Sequence, residues 1–339
     1  MVTKPGGEDL GSLGEFGLIA RIRELLPQGA GVLLGPGDDA AVVEAPDGYV
    51  VATTDMAVED IHFRRDWSSA KQVGQKIAAA NLADLVSMGA RPTALLVALG
   101  APPELPASWV LELAIGLRDE AAKVGASVVG GDTVRSEKIV ISVTALGSLD
   151  GRSAVLRSGA QIGDLVVLVG VTGLSAAGLA LLSSSDADSH VSSSDAGSRQ
   201  RMRTAHRVPQ VEYQVALTLA MSGVHAMCDV SDGLLADLGH IADASGVKCL
   251  IDPRKLDISQ FLEVAASLDV DPFLWALTGG EDHAFVATIA PPSSTLPPIL
   301  LPTGVRVIGQ VVAGAGIEVM DLDVSTWLAG HDHFRSSDR

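Results

Sequence analysis

Apolar residues recur along this chain in two rhythms, one near 3.6 residues and one near 2, and each change of rhythm predicts a change of element. Residues 16–26 place Phe16, Ile19, Ile22 and Leu26 at helical spacing, as an amphipathic helix requires. Residues 49–52 read as a short strand running into Thr53-Thr54-Asp55. The segments 71–88 and 108–124 read as helices, and 126–129 and 138–146 as strands bracketing a Gly130-Gly131-Asp132 loop. A turn-rich stretch, 150–163, is the expected joint. Beyond it come a strand at 164–170, a helix at 175–183, a helix at 209–222, a strand at 224–228 and a helix at 233–244. Further strands are expected near 247–251, 283–290, 305–313 and 316–320. This mixed order predicts an α+β fold of mixed α/β sandwiches. With 339 residues the chain exceeds the size at which one core stops growing, so two domains are expected, 1–150 and 151–339. Residues 183–200, rich in Ser and Asp, are too polar to pack and read as a disordered surface insertion.

Composition narrows the partners. A net charge of −17 argues against nucleic acid and anionic membranes, both of which favour basic surfaces, but leaves room for nucleotides held through metal ions. Cys228 and Cys249 suit neither a disulfide framework nor a zinc site, and point to a reducing, cytoplasmic setting. No apolar h-region lies within residues 1–15, so no secretory leader is expected. The stretch 165–182 is uncharged and reaches the length of about 18 residues at which a membrane span begins to be considered. Its interior Gly170 and Gly173 instead predict strand, turn and helix.

Aspartates then stand out, because they occur where the surroundings are apolar or glycine-rich. The series comprises Gly35-Pro-Gly-Asp-Asp39, Thr53-Thr-Asp55, Asn81-Leu-Ala-Asp84, Gly130-Gly-Asp-Thr133, Asp229-Val-Ser-Asp-Gly233 and Gly279-Gly-Glu-Asp282. A carboxylate in apolar surroundings is costly unless paired or bound to a cation. With 24 Lys+Arg against 41 Asp+Glu, protein cations cannot pair them all, and hard divalent metals are the natural partners. Asp84 is the only charged residue from 77 to 90, and helical geometry puts Ile77, Asn81, Asp84 and Met88 near one face. The plain alternative is a buried Asp satisfied by a local hydrogen bond. Asp55, at the end of its apolar run, could equally be a cap or turn residue. Asp38 and Asp39 repel one another unless a cation lies near. A Gly-Gly-Asp hairpin around Asp132 would carry little meaning alone. Ser231 or Asp232 could cap the following helix, whose N-terminus would also suit a phosphate.

Familiar signatures are missing. Gly173 and Gly178 have P-loop spacing, but Leu179 replaces the lysine. Asp186-Ala-Asp188 lacks the remaining calcium-loop positions, and His331-Asp-His333 is too isolated to indicate zinc. Arg201, Arg203 and Arg207 read as a solvated face.

Taken in order, Gly-Asp-Asp, Thr-Thr-Asp, Asn-Leu-Ala-Asp-Leu, Met-Gly-Ala, Gly-Gly-Asp-Thr, Arg-Ser-Gly-Ala, Asp-Val-Ser-Asp-Gly-Leu and Gly-Gly-Glu-Asp resemble the thiamine-monophosphate kinase family of the PurM-like superfamily. The resemblance runs from Gly14-Glu-Phe-Gly-Leu-Ile-Ala-Arg21 to Asp332-His-Phe334, broken by the Ser-rich insertion. It implies two α/β domains and a homodimer built through the N-terminal sheets. It further implies transfer of the γ-phosphoryl group of ATP to thiamine monophosphate. By the same resemblance Asp39, Thr53, Thr54, Asp55, Asp84, Asp132, Asp229 and Asp232 would hold several Mg²⁺ ions, with K⁺ a further candidate. Gly131, Asp132, Arg157 and Ser231 would contact ATP. His62 and Glu281 would contact thiamine monophosphate. His331 stands where the family places an aromatic residue, with Trp327 nearby. A phosphate monoester has a second pKa of about 6, so its attacking oxygen is already ionised near neutrality and no general base is needed. The alternatives are another PurM-like ATP-dependent synthetase, acting on a purine intermediate or selenide, and a noncatalytic binder of metal or thiamine phosphate. The absence of an N-terminal cysteine disfavours selenide.

Overall fold

The structure, a computed structural model, describes residues 9–13, 15–35, 41–184, 193–292, 301–325 and 327. The chain forms two compact units, Met1–Val86 with Ala90–Ser153, and Ser87–Gly89 with Ala154–Arg339.

The first unit begins with α1 (Leu10–Leu13), α2 (Glu15–Leu25) and an antiparallel ribbon of β1 (Val32–Leu34) and β2 (Val42–Val43). Then follow β3 (Val51–Val58), α3 (Ala70–Ser87), β4 (Arg91–Ala101), α4 (Ala107–Ala122), β5 (Ser127–Arg135) and β6 (Val140–Ser148). Their sheet has the order β3-β6-β4-β5. β4 and β5 are parallel, joined by α4 as a crossover connection requires. The other two pairings are antiparallel. Burial alternates along β6, with Ile141, Val143 and Ala145 fully buried and Ser142 and Thr144 only half-buried, the period-2 signature of a two-faced sheet. α3 lies over the buried face, contributing Ala78, Leu82, Leu85 and Val86. It meets α4 backbone to backbone. A Cβ on Gly74 would sit 2.3 Å from the Leu113 carbonyl oxygen, and one on Gly116 would sit 2.0 Å from that of Lys71.

Three expectations are corrected in this unit. Gly130-Gly131-Asp132 is not a loop between strands but the middle of β5. Asp55 is not at a strand end but inside β3, which is longer than the apolar run suggested. β4 is an additional interior strand, hidden in the sequence by its Arg91-Pro92 start, because proline argues against an interior strand.

The second unit contains β7 (Leu165–Val169), α5 (Leu174–Ser183), α6 (Ser193–Arg207), α7 (Tyr213–Met221), β8 (Ala226–Val230), α8 (Leu234–Ser245) and β9 (Lys248–Ile251). A 3₁₀ turn (Pro253–Lys255), α9 (Leu262–Ser267), α10 (Pro272–Thr278), β10 (Ala284–Ile289), β11 (Val305–Val312) and β12 (Gly316–Val319) complete it. The six-stranded sheet runs β12-β9-β11-β7-β10-β8, antiparallel except for β12 beside β9. Every residue of the interior strand β10 is buried, which accounts for its apolar run without alternation. The Ser/Asp-rich stretch is corrected in part. Residues 185–192 lie outside the described residues, but from Ser193 the chain is helical, and α6 packs on α5 where a Cβ on Gly178 would lie 2.1 Å from the Met202 carbonyl oxygen. The Arg201, Arg203, Arg207 cluster on α6 is not a fully solvated face either. Arg207 is half-buried, and burial, with the Arg203 charge, lowers its pKa.

Candidate functional site

In the first unit the strand β3 and the helix α3 bring oxygen donors together. Thr53, Asp55 and Ala57 share the face toward α3, while Ala52, Thr54 and Met56 are exposed on the other. The Thr53 hydroxyl donates to Asp84 Oδ2 at 2.8 Å, and the Asp55 backbone N–H donates to Asn81 Oδ1 at 3.2 Å. Asn81 is fully buried and its own amide donates to the Ile77 carbonyl one turn back. The helical face read from the sequence thus exists, and it is Asn81 and Asp84 that anchor the strand. Both Asp55 and Asp84 are half-buried.

The strand registers separate the remaining residues. Asp55 pairs with Val143 and Val143 with Val97, whereas Thr54 pairs with Thr144, Ser142 with Ala98, and Ala98 with Asp132. Because side chains alternate across a strand, Thr54 and Asp132 belong to the opposite face from Thr53 and Asp55. They stand on the sheet face opposite the one that carries Thr53 and Asp55. Thr54 donates to the Val143 carbonyl and accepts from Thr144, and the exposed Asp132 accepts from the Thr133 N–H. Gly131 has a packing reason to be glycine, since a Cβ there would lie 1.9 Å from the Val97 carbonyl oxygen. Beyond β3, the His62 Nδ1 accepts the Val58 N–H at 3.1 Å, so its ring proton sits on Nε2.

In the second unit the polar residues gather where β8 ends and β10 begins. Asp229, near the end of β8, is 4% exposed, with its Oδ2 3.2 Å from His283 Nδ1. The backbone of Glu281 donates to the Ser231 carbonyl at 2.7 Å, and that of His283 to the Val230 carbonyl at 3.0 Å, so the Gly-Gly-Glu-Asp segment continues the β8–β10 ladder. Glu281 and His283 adopt left-handed φ values of 64° and 50°, uncommon for non-glycine residues. Such strain is often held at functional positions. Arg157 is exposed on a segment whose Leu156 carbonyl accepts from Met227 of β8, which sets it beside the strand carrying Asp229.

Two aspartates act on backbone rather than on ligand. Asp282 accepts the N–H groups of Gly173 at 2.5 Å and Ser175 at 2.8 Å, so a carboxylate of the chain itself occupies the start of α5. Burial pushes this carboxyl up to about 7. Asp237, 2% exposed in the first turn of α8, accepts the N–H groups of Asp232 and Gly233 at 2.9 and 3.1 Å, and burial likewise raises it to about 7. The cap position of α8 is Gly233, without a side-chain bond, so neither Ser231 nor Asp232 caps the helix. Their side chains remain available for other work. The N–H groups of Asp232 and Gly233, by contrast, are already engaged.

Asp38, Asp39 and His331 lie outside the described residues. Among the described residues no group of three or more His, Cys, Asp or Glu side chains is assembled to hold a metal ion. Thr53, Asp55 and Asp84 nevertheless present oxygen donors only, the set a hard cation prefers, and Mg²⁺ characteristically uses one or two carboxylates and completes its shell with water and substrate phosphates. Sequence reasoning placed Asn81 on the helical face without its bond to β3, and missed Asp237, His283 and His206. Asp237 carried a legible signal, four residues after Gly233 at a helix start. An isolated histidine such as His206 carried none. No helix among the described residues is long and apolar enough to cross a membrane.

Comparison with known proteins shows the family. Residues 37–149 match the model of the AIR synthase related protein N-terminal domain, and residues 161–321 that of its C-terminal domain. A thiamine-monophosphate kinase of Mycobacterium tuberculosis is 45% identical over 97% of this chain and 94% of its own length. The crystal structure of thiamine-monophosphate kinase from Stenotrophomonas maltophilia superposes with a TM-score of 0.77 at 33% identity, covering 91% of this chain and 96% of that one. A structure described as AaThiL complexed with AMPPCP and TMP matches with a TM-score of 0.74 at 32% identity, over 96% and 99% of the two chains. With nearly the whole chain aligned, the mixed α/β fold shared and the motifs in order, this protein belongs to the thiamine-monophosphate kinase family of AIR synthase-related, PurM-like proteins.

Proposed function

We propose that this protein transfers the γ-phosphoryl group of ATP directly to the phosphate of thiamine monophosphate, giving thiamine diphosphate and ADP. The observation that carries the reading is the ordered motif set, lying on a chain 45% identical over nearly its full length to a thiamine-monophosphate kinase. A relative that holds AMPPCP and TMP together supports a nucleotide and a thiamine phosphate as the two substrates.

The residues assigned to Mg²⁺ are Thr53, Asp55 and Asp84 with Asp39, and Asp229 with Asp232; K⁺ is an auxiliary candidate. Bound Mg²⁺ would offset the repulsion between the two phosphates, about 4 kcal/mol for unit charges ~4 Å apart at an effective dielectric near 20. Asn81 and Thr53 hold β3 and Asp84 in place before any ligand arrives. No residue is assigned as general base, because the acceptor oxygen is already ionised near neutral pH. Gly131, Asp132, Arg157 and Ser231 are assigned to ATP, Arg157 supplying charge to a phosphate. His62, with its proton on Nε2, is a donor suited to the acceptor phosphate, and Glu281 is suited to the cationic thiazolium. His331 is assigned to the same substrate.

The two compact units serve as two domains, and the first builds a homodimer. The exposed face of its sheet carries Met56, Leu96 and Val134, 58%, 37% and 59% exposed, an apolar surface suited to a second copy. The setting is cytoplasmic. Cys228 and Cys249 are buried free thiols whose pKa burial raises, as suits a reducing compartment.

Purified protein supplied with ATP, Mg²⁺ and thiamine monophosphate is expected to form thiamine diphosphate and ADP in equal amounts. Absence of product beside an active control kinase would sink the assignment. Turnover of a purine or selenide acceptor instead would transfer it to another member of the superfamily.

A further inference from the structure

We propose that His206 is a positioning residue of the acceptor site: it holds the Glu281 carboxylate in the orientation that meets the cationic ring of thiamine monophosphate. This rests on the reading that Glu281 contacts the acceptor. His206 is on α6, the helix that the polarity of the surrounding sequence concealed. Its side chain is 9% exposed, and Nδ1 stands 3.1 Å from Ser175 Oγ and 3.5 Å from Glu281 Oε2. One ring nitrogen therefore faces two oxygens. A lone pair at Nδ1 would oppose the carboxylate, whereas an Nδ1–H is attracted to both oxygens, so Nδ1 is assigned as the donor.

The surroundings hold the backbone that carries both oxygens. Ser175 is held by its backbone N–H on Asp282 Oδ1, and the other Asp282 oxygen holds the Gly173 N–H, which locks the start of α5. Glu281 is tied through its own N–H to the Ser231 carbonyl and sits in the left-handed region, so its side chain leaves the backbone in a set direction. That side chain is 38% exposed, standing between the buried imidazole and solvent. A carboxylate with a fixed donor on its inner side and access on its outer side is oriented before the ligand binds, and such preorganisation lowers the ordering cost of association.

The test compares H206N with H206Q. Asparagine carries an amide N–H near the place of Nδ1, and glutamine places it nearer that of Nε2. With both substrates varied in steady-state assays, H206Q is expected to raise KM for thiamine monophosphate by about tenfold, the scale of one polar contact to a charged group, with KM for ATP unchanged. H206N is expected to recover most of that loss. Because His206 acts through Glu281, the H206Q/E281Q double variant should bind the acceptor no worse than E281Q. Equal effects of H206N and H206Q, a parallel rise in KM for ATP, or additive effects in the double variant would each overturn the proposal. A wild-type enzyme inactive on thiamine monophosphate refutes the functional reading itself, an outcome distinct from an active enzyme indifferent to H206Q.

Discussion

Replacing Asp282 by asparagine should change the way stability depends on pH. The carboxyl is 8% exposed, and burial raises it from 3.8 to about 7, against the opposing N–H bonds from Ser175 and Gly173. The folded protein therefore holds this proton more tightly than the unfolded chain does. Between about pH 4 and 7 the native state binds more protons, so this group's contribution falls as pH rises through that window and is level above it. At about 1.36 kcal/mol per unit, the full swing is about 4 kcal/mol. D282N removes the titration. It retains one carbonyl acceptor but turns an amide NH₂ toward the second backbone N–H, which costs about 1–3 kcal/mol at every pH. The variant should thus be less stable than wild type near pH 5, with the gap closing or reversing by pH 8. Urea unfolding at constant ionic strength, followed by tryptophan fluorescence, to which the buried Trp275 of the same unit contributes, gives the difference at each pH. Asp237, also raised to about 7, is present in both proteins and cancels. Two curves that run parallel from pH 4.5 to 8.5 would refute the reasoning.

Three further perturbations follow from the same geometry. D55N and D84N should abolish turnover while leaving the fold intact by circular dichroism, with partial recovery in excess Mg²⁺; near-normal activity at limiting Mg²⁺ would remove either residue from the metal assignment. G131A should cost about 1–3 kcal/mol through overpacking, because its Cβ would lie 1.9 Å from the Val97 carbonyl oxygen, and an unchanged melting temperature would show that β4 and β5 separate freely. M56D, which puts a charge on the exposed sheet face, should convert a dimer to monomer in size-exclusion chromatography with light scattering, and a dimer of undiminished stability would place the interface elsewhere.

Much of the architecture was legible because local chemistry and tertiary environment agree. The helix at Ala70–Ser87 and the strand at Leu165–Val169 were readable from apolar patterning, and Gly170 and Gly173 correctly broke an uncharged run that could have been taken for a span. The reading failed where long-range packing overrode local signals. Gly130 and Gly131 look like a turn, yet they lie within β5, and Gly131 allows the neighbouring strand β4 to approach closely. The polar run from Ser193 becomes a helix because α5 offers a glycine surface against which Met202 and His206 can pack.

Read in order, the residues alone carry the family, the order of the motifs and the chemistry they imply, because ordered short motifs and a surplus of carboxylates are local features of the chain. Which members share a face was settled by folding. Side chains alternate at every residue of a strand, so adjacent Thr53 and Thr54 part company, and Asp132 goes with the second rather than the first. It also separated aspartates with different work. Asp84 meets Thr53 across strand and helix, while Asp282 and Asp237 spend their oxygens on backbone N–H groups. That distinction depends on what lies within hydrogen-bonding distance of each carboxylate, and residues as far apart as 173 and 282 meet only when the chain has folded.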